Sequence, residues 1–318
     1  MKRGAARWGA LACSLAILAV IYAKIDLGSM AERFLSADPL WLGAALGCFL
    51  PQILVSGTRW WLMGKGWAHM TWMEAFKMIM AGKALNALLP SKLGEMSKAY
   101  FLRQQGLEAL TKGVPAVLME KILDLAGLCS WMLLGAALAP SGSKAMGIAW
   151  IISLGVVGAT AFMFIVPLGT WARLMKGKDK GLGARLREML LGWDCILGLW
   201  RANKAILAGV IFLSVLLWGL HLLQIYLFFP SLGQSVQVGS VLAYVPLSLL
   251  VGLLPISLAG MGTRDTALIL LFAPYVDGAT MAGIGLLCTM RYWADSLMGV
   301  PFLHRYSLEI AKKHQSGA

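Results

Sequence analysis

Apolar runs alternate with short polar segments along most of this chain, and many of the runs suit a helix that crosses a bilayer. About 20 apolar residues suffice for one crossing. Six stretches qualify as spans: 8–25, 39–63, 117–139, 146–172, 205–229 and 281–302. Between them the pattern changes twice. From Trp72 to Ala87 an apolar helix is interrupted by Lys77, Lys83 and Asn86. It breaks at Leu88-Leu89-Pro90-Ser91-Lys92-Leu93-Gly94-Glu95, and a shorter polar helix follows to Arg103. From Val241 to Leu254 another apolar helix meets Pro255-Ile256-Ser257-Leu258-Ala259-Gly260-Met261-Gly262-Thr263-Arg264-Asp265, and a further one runs to Phe272. Each broken element reads as a hairpin that dips into the membrane and returns.

The expected fold is an all-α polytopic membrane protein with about six full transmembrane helices plus two re-entrant helical hairpins from opposite faces, a candidate inverted repeat. Residues 1–318 are expected to form a single integral membrane domain. Its first broken-helix gate lies at about 70–105 and its second at about 241–273. A basic cytoplasmic loop and interfacial helix occupy about 173–201, the helical part amphipathic from Ala184 to Trp200.

Composition strengthens this reading. The chain is 59% hydrophobic and 14% charged, with a mean hydropathy of +0.73, whereas a soluble domain carries about 25% charged residues. No uncommitted stretch reaches the length of about 100 residues that a soluble enzyme domain needs. The formal net charge of +13 does not point to nucleic acid. Lys and Arg collect in short segments beside apolar runs, above all Arg173, Lys176, Lys178, Lys180, Arg185 and Arg187, as cytoplasmic loops do. Both termini are then expected in the cytoplasm and the chain in the cell inner membrane. The start, with Lys2, Arg3 and Arg7 before an apolar run, imitates a secretion signal but reads as an uncleaved first span. Trp60, Trp61 and Trp67 read as an interfacial belt, and Gly43 and Gly47 as a helix-packing step. Cys13, Cys48, Cys129, Cys195 and Cys288 are scattered, as are the four histidines, so packing is expected rather than a disulfide or zinc site.

The two broken elements match each other. With an offset of 165, Leu88, Leu89, Pro90, Leu93 and Met96 fall on Leu253, Leu254, Pro255, Leu258 and Met261. Three spans separate them, so they enter from opposite faces. Broken helices paired in this way mark substrate sites in many transporters.

Ionisable groups inside a membrane are costly and usually face a partner or a cavity. Arg264, after the Gly260-Met261-Gly262 turn, reads as a phosphate or anionic head-group contact or as a tie within the broken helix. Lys92 is its counterpart at the other gate, with snorkelling as the alternative. Glu95 and Asp265 pair with these cations or take up protons. Glu120 and Asp124 share a helical face turned toward basic partners. Arg291 and Asp295 are expected to form an intrahelical ion pair, and Asn86 to support exposed backbone or substrate. His221 and Gln224 read as interhelical hydrogen-bond partners.

The stretches Asn86–Glu95, Glu120-Lys121-Ile122-Leu123-Asp124 and Pro255–Asp265 together resemble the lysylphosphatidylglycerol synthase transmembrane (flippase-domain) family. The resemblance covers nearly the whole chain in order. The family favours Arg at the positions of Lys92, Lys98 and Lys121, and Glu at that of Asp265. This chain keeps the charge signs, but Lys is a point charge rather than a bidentate fork. The resemblance implies movement of lipids between leaflets and adds Lys98 to the candidate residues. It also implies a chain without the soluble aminoacyl-transferase domain of some relatives. Others belong to hopanoid or polyprenyl-linked sugar pathways, so the lipid stays open.

The expected function is thus a lipid transporter for a charged-head-group lipid, not an enzyme, with no cofactor and no metal. Its partners are a membrane lipid and, as an option, a separate lipid-modifying enzyme. An accessory protein or enzyme of lipid or polyprenyl-linked glycan biosynthesis is the alternative. An enzyme would need a nucleophile or metal-ligand cluster, and no Ser-His pair or Asp-x-x-Asp run is present.

Overall fold

The computed structural model describes residues 27–88, 94–104, 109–139, 144–174, 181–253 and 262–316. Among these the chain is helical, with no strand. The helices are α1 (Leu27–Leu35), α2 (Pro39–Gly47), α3 (Phe49–Gly64), α4 (Trp72–Leu88) and α5 (Ser97–Gln104). After a π-turn at Ala109–Gly113 come α6 (Val114–Leu138), α7 (Lys144–Ile165), α8 (Gly169–Leu174), α9 (Gly181–Ala202) and α10 (Lys204–Ser231). The chain then forms α11 (Val238–Val251), α12 (Thr263–Phe272) and α13 (Gly278–Ser316).

Four stretches are long and apolar enough to cross a membrane: Pro39–Gly64, Thr111–Leu138, Lys144–Ile165 and Lys204–Ser231. Their ends follow local chemistry. Asp38 caps α2 by accepting from Leu40 N at 2.8 Å, with Pro39 at the first helical position, where its missing N–H costs nothing. Asn203 caps α10 through Ile206 N. The expected span 146–172 is instead two helices, because Pro167 disfavours helical backbone at the residue before it. The last helix runs beyond the expected 281–302, passing Pro301.

Pairwise contacts set the helix directions. α3 and α10 are antiparallel: Asp38 N donates to Ser231 O, Gln52 bonds Gln224, and Arg59 bonds Ser214. The end where α3 finishes and α10 begins carries Lys65, Arg201 and Lys204, and is here the basic end. α4 starts there, with Trp72 Nε1 bonded to Thr58 Oγ1, and runs antiparallel to α13 through Phe76–Phe302, Lys83–Asp295 and Asn86–Tyr292. Its Asn86 reaches only the level of Arg291 and Tyr292. Arg291 touches Gln224, which bonds Gln52 midway along Pro39–Gly64. α5 packs back toward the basic end. α11 starts at the opposite end, where Gly239 meets Ala139, and runs inward for 14 residues. That is about 21 Å, short of the roughly 30 Å apolar core. α12 returns toward the opposite end beside α13.

The helix bounds themselves repeat. Adding 165 carries 39–64 onto 204–229 (α10), 72–88 onto 237–253 (α11), 97–104 onto 262–269 (α12) and 114–138 onto 279–303 (α13). The matching helices run in opposite senses in the two halves. The prolines that suggested the repeat, Pro90 and Pro255, lie outside the described residues, as do Lys92 and the expected first span.

Lipid tails offer little reason for helices to associate, so small residues and polar contacts hold them together. A Cβ on Gly135 would lie 2.3 Å from Ala243 N, and one on Gly299 2.2 Å from Met80 O. Among the described residues nothing lies within 4 Å of a Cβ at Gly43 or Gly47, so no described helix meets the packing step expected there. The tryptophan belt also needs correction. Trp60 and Trp67 are buried in a cluster with Met63, Met78, Leu102 and Trp200, because the basic-end connections fold over them. Cys48, Cys129 and Cys288 are buried and Cys195 is exposed.

Candidate functional site

Gln52, Ser56 and Arg59 lie one helical turn apart on the same face of α3, which points into the bundle. Arg59 is fully buried and distributes its guanidinium among three partners. It donates to Asp124 Oδ1 at 2.6 Å, Glu120 Oε1 at 3.1 Å and Ser214 Oγ at 3.2 Å. Glu120 and Asp124 reach it from successive turns of α6. From α5, Lys98 is buried between Glu120 and Glu95, the latter at 2.5 Å, with its ammonium 4.8 Å from the Trp60 ring. Lys121 closes the cluster on Asp124 at 3.0 Å and lies 3.8 Å from Glu95. Three cations thus neutralise three carboxylates, which is what lets so many charges sit inside an apolar bundle.

Toward the middle of the bundle the chemistry changes. Lys83 pairs with Asp295 at 2.8 Å, Asn86 Nδ2 donates to Glu95, and Tyr292 donates to the Asn86 carbonyl at 2.7 Å. Arg291 donates to Gln224 Oε1 at 3.2 Å and lies 3.4 Å from His221 Nδ1. All of these residues except Gln224 line a cavity of about 180 Å³, walled on its apolar side by Ile79, Leu217, Trp218 and Leu249.

The structure therefore brings Asn86, Glu95, Glu120, Asp124, Arg291 and Asp295 to one cavity, with Lys98 directly behind it. Two expectations fail. Asp295 bonds Lys83 of α4 instead of Arg291 of its own helix, because α13 presents that carboxylate to the facing helix. Arg264 and Asp265 do not line the cavity. They pair with each other, and Arg264 also donates to Gly285 O at 2.9 Å and Thr289 Oγ1 at 2.8 Å, tying α12 to α13. Subtracting 165 carries Gly285 and Thr289 onto Glu120 and Asp124. The same helix contact is thus charged in one half and carried by a single arginine in the other. Lys92 lies outside the described residues, so its convergence with Arg264 is not part of this geometry.

Sequence reasoning missed Arg59, Lys83 and Gln52 as site residues. Arg59 reads as the polar end of a span, and Lys83 as an interruption in an apolar helix. The usable signal was the spacing of Gln52, Ser56 and Arg59, a polar stripe inside an otherwise apolar helix.

Comparison with known proteins agrees with the architecture. The family model described as the lysylphosphatidylglycerol synthase TM region matches residues 7–299. A UPF0104 membrane protein of Methanocaldococcus jannaschii is 25% identical over 95% of this chain and 96% of its own. A second from that organism is 26% identical over 58% of this chain and 77% of its own. A UPF0104 membrane protein of Methanothermobacter thermautotrophicus is 25% identical over 93% of both chains. No solved structure matches.

Proposed function

Since this chain belongs to the lysylphosphatidylglycerol synthase transmembrane family, we propose that it is a lipid translocase, carrying a charged head group through the central cavity while the tails stay in the bilayer. One observation carries the reading: a cavity lined by ion pairs lies where helices from opposite ends of a membrane bundle stop halfway. Charge at such depth is retained at a cost of several kcal/mol per ion and is usually functional.

The reading takes α4–α5 and α11–α12 as re-entrant hairpins forming two gates. The gate at the basic end is closed by Lys98 between Glu95 and Glu120. The gate at the opposite end is held to α13 by Arg264. Opening one while the other stays shut exposes the same cavity to each leaflet in turn. The excess of Lys and Arg at the basic end favours a cytoplasmic position for it, within the inner membrane. On this reading the protein is a carrier, not a catalyst, and a separate enzyme makes the lipid it moves.

Reconstitution in vesicles with tail-labelled phospholipids tests the proposal. Adding a membrane-impermeant quencher should extinguish label in both leaflets with the protein and only the outer leaflet without it. The recovered lipid should be chemically unchanged. Label that stays in its leaflet would overturn the translocase reading, and a new lipid species would replace it with catalysis.

A further inference from the structure

The charges around the cavity do not cancel. Arg59, Lys83, Lys98, Lys121 and Arg291 face four carboxylates, those of Glu95, Glu120, Asp124 and Asp295. Each carboxylate lies within 4.0 Å of at least one of the first four cations. Among the described residues, none lies that close to Arg291, whose guanidinium bonds neutral Gln224 and the His221 side of α10. Among the described residues the cavity therefore has a surplus positive charge, on Arg291.

A second observation narrows what would balance it. Four buried polar atoms on lining residues have no hydrogen-bond partner among the described residues: Gln52 Oε1, Asn86 Oδ1, Asp295 Oδ1 and Arg59 Nε. Three of the four are acceptors. Gln52 is 1% exposed and Asn86 8%, so bulk water does not reach them freely. An unpartnered buried acceptor costs about 1–3 kcal/mol, which a bound donor recovers. The occupant that satisfies both demands offers one negative charge to Arg291 and several O–H donors to the acceptors.

We infer that the transported lipid is an anionic phosphodiester with a hydroxylated cap, glycerol or sugar, whose phosphate sits on Arg291 and whose hydroxyls meet Gln52, Asn86 and Asp295. This deepens the translocase reading and rests on it. A lysine-capped lipid is disfavoured because its net positive charge adds to the surplus. A choline head group is disfavoured because it has no donor.

The experiment uses the full chain in phosphatidylcholine vesicles with trace tail-labelled phosphatidylglycerol, phosphatidylcholine or lysine-capped phosphatidylglycerol. Phosphatidylglycerol should cross at least tenfold faster than either of the others. R291Q should bring its rate down to that of phosphatidylcholine, and R291K should restore part of the difference. Equal rates, or faster movement of the lysine-capped lipid, would overturn the head-group inference while leaving translocation intact. If none of the labels moves, the translocase reading itself fails. Should R291Q not fold, thermal stabilisation of the wild type decides. Phosphatidylglycerol should raise the melting temperature more than phosphatidylcholine does, and more than inorganic phosphate at equal concentration. A larger shift with inorganic phosphate would mark a site for a free anion and overturn the lipid assignment.

Discussion

Arg59 and Asp124, 65 residues apart, meet at 2.6 Å across the α3–α6 contact, and that bond anchors the charged wall of the cavity. Arg59 is 1% exposed, so its charge is tolerable only because Asp124 and Glu120 neutralise it and Ser214 accepts a further hydrogen bond. The planar guanidinium suits this role, because its fixed fork serves partners on two helices at once.

Replacing Arg59 by Met is therefore expected to be strongly destabilising. Removing one member of a buried ion pair costs about 3–5 kcal/mol, since the remaining charges are left uncompensated. Detergent-solubilised R59M should melt well below the wild type. The triple variant R59M/E120Q/D124N should recover part of the loss, because it removes the stranded carboxylates as well. Wild-type stability in R59M would show that the network is not under load.

The Lys83–Asp295 pair links α4 to α13 and is accessible to a double-mutant cycle. Both side chains are mostly buried, at 14% and 19% exposure. Contacting charges of this kind show coupling of about 0.5–3 kcal/mol. K83M and D295N should each cost more alone than their combination implies by addition. Strict additivity in denaturant titrations would mean the pair contributes nothing.

Gly135 and Gly158 give a matched test of helix packing. A Cβ at Gly135 would strike the α11 backbone, whereas one at Gly158 meets nothing within 4 Å. Overpacking typically costs 1–3 kcal/mol or more, so G135V should lower the melting temperature clearly. Gly158 is exposed on α7, so G158V should leave it nearly unchanged.

Asp277 offers a pH test outside the spans. Partial burial pushes its carboxyl up, but bonds from the Thr280 N–H and hydroxyl, with Arg33 at 4.0 Å, outweigh this and hold it below its usual value. A depressed carboxyl contributes stability that is present above its unfolded pKa of about 3.9 and lost as the pH falls through the lower folded value. Asp277 also caps α13, and truncating such a cap costs about 0.5–2 kcal/mol. D277A should thus be destabilised at neutral pH, with the gap to the wild type narrowing as the pH falls below about 4. An equal deficit at all pH values would remove the charge from the account.

Much of the fold was legible because a bilayer leaves the sequence few options. Backbone in lipid must satisfy its own hydrogen bonds, so apolar runs of span length specify helices directly. The runs 39–63, 117–139 and 205–229 accordingly match the observed helices closely. The offset of 165, read from a few leucines and a proline, carries α2–α6 onto α10–α13. Glu120 and Asp124 were legible for the same reason: two acids on one face of a span require cations.

Partner choice was decided only in three dimensions. Asp295 had a cation four residues away in sequence and another across a helix contact, and packing of α13 against α4 selected Lys83. Arg59 read as the polar end of a span until tertiary packing enclosed it. Gly43 and Gly47 carry a packing spacing that no described helix uses, whereas Gly135, with no such signal, admits another backbone. Sequence periodicity determines which residues share a helix face, since that depends on one dihedral repeat. Which face meets which neighbour depends on the angles and depths of several helices at once, and no single segment encodes that.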